Sequence, residues 1–313
     1  MTPNFLIIGA AKAGTSAVWA YLAQHPEVFM HPAKELRFFA LDGRPGFQGP
    51  GDTVVNTKWV STWDEYRDCF AGVSADVTAV GEASPFYLCS EGSAERIQRY
   101  LPDAKLIAIL RDPASRAFSS YQSLRLVERE PLADFRDALE AEDERRRQNW
   151  EFLWRYRELG LYSRQLQPYF AAFPREQIWI GLHDDLQEDP AGFVRSIFRF
   201  LDVDPDYRVD LSARLNLSGV ARSKALHRVM KNATVKSVAR GLVPQRYRTR
   251  LRSFLATRNV RRAPRPDDVI SELRAFYRPE IESLEQLLGR DLSAWKGEGG
   301  QRESRASEES LPA

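Results

Sequence analysis

The feature that most constrains this chain is its opening stretch, Asn4-Phe-Leu-Ile-Ile-Gly-Ala-Ala-Lys-Ala-Gly-Thr-Ser-Ala17. Phe5 to Ile8 form an apolar run with no polar alternation, the pattern of a strand buried on both faces of a parallel sheet. A loop of small residues runs from Gly9 to Gly14, and Thr15 to Leu22 reads as the first turns of a helix. Strand, glycine loop and helix N-terminus in succession leave backbone N–H groups facing the loop, at the positive end of the helix dipole. That is an anion site. Gly9-x4-Gly14 approaches a Walker A loop, but Thr15 stands where the Walker lysine belongs, and Lys12 precedes the second glycine instead. Inside the loop, Lys12 would meet a phosphate near its bridging oxygen. An ordinary strand–turn–helix is the plainer reading, yet Lys-Ala-Gly-Thr-Ser is a costly choice for a mere turn.

A second apolar run, Lys105 to Leu110, predicts another central strand. Arg111-Asp-Pro-Ala-Ser-Arg-Ala-Phe-Ser-Ser-Tyr121 follows it directly. Pro113 suits the first turn of a helix with Asp112 as its N-cap. Arg111 then sits at the strand end and Ser119 about two turns along, a planar fork of donors plus a hydroxyl, both suited to phosphate. Two anion sites at neighbouring strand ends imply a ligand with two separated phosphate-like groups. A nucleoside triphosphate has only one such cluster.

Composition bounds the rest. The 313 residues allow one large α/β domain or two small ones. A formal net charge of +2 does not describe a nucleic-acid-binding polycation. Cys69 and Cys89 are too few for a disulfide framework and lack metal spacing, though one bridge between them stays open. With no basic, cleavable leader and no apolar run approaching the ~20 residues of a membrane span, a soluble cytoplasmic protein is the expectation.

Lys12-Ala-Gly-Thr-Ser16 resembles the 5′-phosphosulfate loop of sulfotransferases that use 3′-phosphoadenosine 5′-phosphosulfate (PAPS). Three further segments extend the likeness: Lys34-Glu-Leu-Arg-Phe-Phe39, Gly81-Glu-Ala-Ser-Pro-Phe-Tyr87 and the Arg111–Tyr121 stretch, which is similar to the family's 3′-phosphate motif. The resemblance implies an α/β fold with a central parallel sheet flanked by helices, P-loop-like in its phosphate loop. It implies PAPS as sulfuryl donor with no metal, held by Lys12, Ala13, Gly14, Thr15, Ser16, Ala17, Arg111 and Ser119. The general base on the acceptor hydroxyl matches Glu35, with His31 in reserve, and Arg37 and Glu82 fall among the acceptor-side residues. Ala83 stands where several glycan-modifying relatives carry lysine, which leaves their type of acceptor contact open.

Val28 to Met30 is expected as a short strand beside the first, bringing Lys34, Glu35 and Arg37 to the carboxyl edge of the sheet, where α/β proteins bind ligands. Residues 41–80 are glycine- and proline-rich at first and then carry Trp59, Trp63, Tyr66 and Phe70 at helical spacing, a stripe that is more often core than site. Residues 128–149 are charge-dense and predict a solvated helix. Ile178 to Leu182 predicts a strand and Val269 to Leu288 a helix closed by Gly289. Residues 211–266 hold fifteen Lys/Arg and no Asp or Glu. By resemblance, Arg222, Ser223 and Lys224 in that block would close over the 3′-phosphate. The remaining basic residues suit an anionic acceptor, an anionic membrane face, or simply water. One domain over 1–295 is expected, with 41–80 and 211–266 as lid or insert segments, and a disordered tail over 296–313.

The function expected is sulfuryl transfer from PAPS to a hydroxyl or amine of a glycan, glycolipid or small molecule. Two readings compete: a P-loop kinase, which needs Mg²⁺ and a lysine after Gly14, and a non-catalytic nucleotide-binding protein of the same fold.

Overall fold

A computed structural model of the chain describes residues 1–212, 220–221, 260–261 and 264–297. Five strands, β1 (Phe5–Gly9), β2 (Val28–Met30), β3 (Ala79–Ala83), β4 (Lys105–Leu110) and β5 (Ile178–Leu182), form one parallel sheet in the order β2-β3-β1-β4-β5. Phe5 to Ile8 and Leu106 to Leu110 are wholly buried, as apolar runs covered on both sides must be. Val220–Ala221 and Val260–Arg261 pair antiparallel as β6 and β7.

Helix α1 (Thr15–Leu22) follows β1, and the short helices α2 (Asp52–Asn56) and α3 (Trp63–Asp68) lie between β2 and β3. Then come α4 (Ser93–Tyr100) after β3 and α5 (Pro113–Leu126) after β4. Helices α6 (Phe135–Glu140), α7 (Glu142–Arg147) and α8 (Tyr162–Ala172) precede β5. Helices α9 (His183–Glu188), α10 (Pro190–Phe200) and α11 (Asp267–Leu288) follow it. The predicted caps are present: the Asp112 carboxylate accepts from the N–H groups of Ala114 (2.9 Å) and Ser115 (3.3 Å), and Gly289 closes α11 at φ 62°.

β2 does not lie beside β1. It pairs with β3, and β3 occupies the place next to β1. A contact far apart in sequence accompanies this order: the Phe5 ring lies over Gly81, where a Cβ would come within 2.5 Å of it, so β3 offers β1 a surface that only glycine provides. The expected consequence survives the correction. The segment after β2 still runs along the carboxyl end of β3, with His31 N–H on Gly81 O and Glu35 N–H on Ala83 O, each at 2.9 Å.

From β1 the chain moves to one side of the sheet, and from β4 it moves to the other. The crevice beyond the carboxyl ends of β1 and β4 is therefore the switch point at which open α/β sheets bind ligands.

The aromatic stripe of α3 is core: Tyr66 and Phe70 are fully buried and Tyr66 packs edge-on against Phe39 at 5.1 Å. Both cysteines are free. No helix among the described residues is long and apolar enough to cross a membrane.

The charge-dense stretch departs from expectation, because part of it is interior. Arg145 and Glu130 are buried and form a two-pronged pair at 2.7 and 2.8 Å, with the Tyr156 hydroxyl donating to the same carboxylate at 2.5 Å. Glu142 is also buried and accepts the N–H groups of Arg157 and Glu158. Composition reports the charges but not their partners. Removing one member of a buried pair strands the other, so Arg145→Ala should cost about 3–5 kcal/mol in urea unfolding, while Glu144→Ala, on the exposed side of α7, should leave the midpoint unchanged.

Candidate active site

The loop after β1 ends on Gly14, which caps α1 at φ 100° with no side-chain cap. A left-handed residue is required there, and a side chain would also meet Leu186 at 3.0 Å and His183 at 3.3 Å. Ala13, Thr15, Ser16 and Ala17 surround this uncapped end, with the Ala17 N–H on Gly14 O at 2.9 Å. The arrangement is that of an anion-binding helix start.

Lys12 and Arg111 meet here. Arg111 Nη1 donates to the Lys12 carbonyl at 3.1 Å, tying the end of β4 to the loop after β1. Lys34 comes in from the other side, its Nζ 2.5 Å from Ser16 Oγ and 3.4 Å from Thr15 Oγ1. Burial, then the Arg111 and Lys34 charges, push the Lys12 amine down to about 8, with Glu35 pulling the other way. Burial likewise lowers Lys34 and Arg111. Three buried cations thus gather around the loop that opens α1, which is the donor set for an anion.

Glu35 faces this cluster. Its backbone is left-handed at φ 70°, and its Oε2 accepts Arg37 Nε at 3.1 Å and a second, shorter bond from Nη2. Burial alone would raise its pKa, but the Arg37 and Lys34 charges, the Arg37 hydrogen bond and Lys12 outweigh it and hold the carboxyl below its ordinary range. Glu35 is therefore ionised at neutral pH. Arg37, also left-handed at φ 65°, has the rings of Trp59 and Phe86 at 5.4 and 5.3 Å from its Cζ.

Glu82 is near but not in the open. It is fully buried, with Ser84 Oγ donating to Oε2 at 2.8 Å and the Tyr66 hydroxyl at 3.5 Å from Oε1. Burial pushes its carboxyl up to about 7, against the hydrogen bonds of Ser84 and Tyr66. Ser84 Oγ also accepts the Arg37 N–H at 2.9 Å, so Glu82 supports the segment that carries Glu35 and Arg37. Ser119 is buried on α5, and Arg116 donates from the core to the Tyr156 carbonyl, bracing that helix. The His31 ring bonds the Ala33 carbonyl at 3.0 Å and packs on Phe70, as a turn residue does. Arg222, Ser223 and Lys224 lie outside the described residues, as do most of 211–266 and residues 298–313.

Sequence reasoning left three contributors out of the site. Lys34 was legible as a cation at the sheet edge, but not as the group that reaches Thr15 and Ser16. His183 opens α9 beside Gly14, and burial followed by Arg111 pushes it down to about 4, so it is a neutral imidazole against the loop. Glu151, wholly buried, lies 3.8 Å from Arg37 and carried no motif to mark it.

With this geometry in place, comparison with known proteins defines the class. The model of a family described as the sulfotransferase family matches residues 3–207, and the chain belongs to that family. It is 30% identical over 210 residues to the bifunctional heparan sulfate N-deacetylase/N-sulfotransferase 3 of Homo sapiens, a match covering 66% of this chain and 23% of that protein. It is 25% identical over 297 residues to the heparan sulfate glucosamine 3-O-sulfotransferase 3A1 of Mus musculus, covering 94% of this chain and 65% of that one. The chain thus spans less than two thirds of the length of these curated relatives, and under a quarter of the bifunctional one. Among solved structures, a sulfotransferase from Alicyclobacillus acidocaldarius is 37% identical and superposes with a TM-score of 0.74, over 95% of this chain and 99% of that one.

Because Lys12 gives up its proton near pH 8 in the free protein, inorganic sulfate should bind more weakly as pH rises through about 8. Calorimetry on the wild type should show that decline, and Lys12→Met should bind sulfate weakly at every pH, with the step gone.

Proposed function

We propose that this sulfotransferase takes its sulfuryl group from PAPS and delivers it to a hydroxyl or amine of a glycan, glycolipid or small metabolite, with Glu35 as general base and Lys12 stabilising the leaving phosphate. The observation that carries the reading is the pairing of Lys12 and Lys34 beside the uncapped start of α1, with Arg111 on the Lys12 carbonyl and one ionised carboxylate, Glu35, facing them. The burial and the Arg111 and Lys34 charges that drive the Lys12 amine down to about 8 fit a multiply charged anionic ligand.

When bound, PAPS supplies a sulfuryl group on a phosphate oxygen: the acceptor atom bonds to sulfur, the sulfur–oxygen bond to the 5′-phosphate breaks, and its electron pair stays on that oxygen. Lys12, Lys34 and the first N–H groups of α1 then face the charge that grows there, and they are already in position before it does. Glu35 takes the proton that the acceptor loses. Arg111 and Ser119 serve the far phosphate and so set the line of attack. Relatives named for heparan sulfate support a glycan acceptor. The kinase reading finds no support in the loop, where Thr15 holds the lysine position and its hydroxyl lies near Lys34.

Adenosine 3′,5′-bisphosphate should raise the melting temperature where ATP with Mg²⁺ does not. With radiolabelled PAPS and a panel of glycan and phenolic acceptors, Glu35→Gln should lower kcat by about 10²- to 10⁴-fold and leave bisphosphate binding intact. Transfer by that variant at the wild-type rate would remove Glu35 as the base. A wild type that binds the bisphosphate but transfers to no acceptor would favour a binding protein.

A further inference from the structure

Arg37 stands between two carboxylates and is bonded to only one. Its Nε and Nη2 both reach Glu35 Oε2. On the other side Glu151 Oε1 lies 3.8 Å from Nη2, beyond hydrogen-bond range. That oxygen is buried and accepts no hydrogen bond. The other one, Oε2, takes Arg129 Nη2 at 3.2 Å, and the Glu151 N–H donates to Asp52 Oδ2 at 3.1 Å, so the residue is fixed where it stands. Trp59 and Phe86 flank the guanidinium, and its Nη2 is the atom nearest to both carboxylates.

A buried carboxylate oxygen with no donor is costly, and an exception of this kind in a native fold calls for a reason. The bonding of Arg37 calls for one too. Held against Glu35, it keeps that carboxylate ionised but weakens it as a base, and a base must gain proton affinity as the acceptor loses its proton. A shift of about 1 Å would bring Nη2 within bonding range of Glu151 Oε1, satisfy the orphaned oxygen and return proton affinity to Glu35.

We propose that Glu151 is a positioning residue for the transfer step: its unsatisfied oxygen is a second berth for Arg37, which slides into it as an acceptor hydroxyl or amine engages Glu35. This rests on the reading of Glu35 as the base. The charged groups facing Glu151 are Arg37, Arg129, Glu35 and Asp52. Burial pushes its carboxyl up to about 7 in spite of the two arginines. As pH falls through that value Glu151 takes a proton, its pull on Arg37 ends, and the guanidinium stays on Glu35.

The test is nuclear magnetic resonance on the full chain, with the Arg37 Nε signal identified by its loss in Arg37→Lys. In the wild type that signal should step with a midpoint near pH 7. In Glu151→Gln the step should vanish and the carboxyl titration of Glu35 should move to lower pH, whereas Glu35→Gln should keep the step. An Arg37 signal that is flat across neutrality in the wild type, or a step that persists in Glu151→Gln, overturns the proposal. Should Glu151→Gln not fold, the wild type decides: one glutamate carboxyl must titrate at the same midpoint as Arg37 Nε, and a mismatch is a refutation. Failure of the base reading is a separate result, Glu35→Gln transferring sulfate normally, and it would leave the Arg37 titration as it is.

Discussion

The bond from Arg111 to the Lys12 carbonyl, 3.1 Å long, joins the two strand ends on which the site depends. It crosses the switch point between β1 and β4, and it draws together side chains that repel. Burial lowers the pKa of Lys12, Lys34 and Arg111, and the Lys12 amine also registers the charges of Arg111 and Lys34. What holds them is backbone: a parallel ladder, a left-handed glycine and a carbonyl that accepts from a guanidinium. Charge held in place by the fold does not have to reorganise when negative charge arrives beside it.

Much of the sheet was legible because burial on both faces leaves a direct trace. β4 and β5 begin and end where their apolar runs do. β3 left no such trace. Ala-Val-Gly-Glu-Ala is a wholly buried strand whose glycine admits the Phe5 ring and whose glutamate is satisfied by Ser84 and Tyr66, so neither residue reads as strand. Missing β3 also misplaced β2, since which strand pairs with which is decided by contacts far apart in sequence. The charge-dense stretch failed for the same reason, because Arg145 is interior only by virtue of Glu130 and Tyr156.

The site divides along the same line. Local geometry made Lys12, Gly14, Arg111 and the Asp112 cap readable, since each follows from a strand end or a helix start. Pattern brought Glu35 and Arg37 to the sheet edge, but the roles expected of them came through family likeness. Lys34 acts on hydroxyls 18 and 19 residues away, and Glu151 acts on Arg37 across the fold. In each case the function belongs to a distance, and neither residue carries a local signal of it.

Backbone strain ties these parts together. Lys12, Glu35 and Arg37 are three of the six non-glycine residues with positive φ among those described. Such conformations cost about 1–3 kcal/mol each, so the surroundings must enforce them. All three have a backbone group tied at a strand end: the Lys12 carbonyl to Arg111, the Glu35 N–H to Ala83 O, and the Arg37 N–H to Ser84 Oγ. Ser84 is fixed in turn by Glu82. The buried glutamate of β3 thus has a physical role that does not require it to touch any ligand. It orients a hydroxyl, the hydroxyl holds a strained backbone, and that backbone aims the Glu35 carboxylate and its arginine at the crevice. Rigid support of this kind is what any functional site requires, because an error of about 1 Å in aim can cost a factor of 10² in rate.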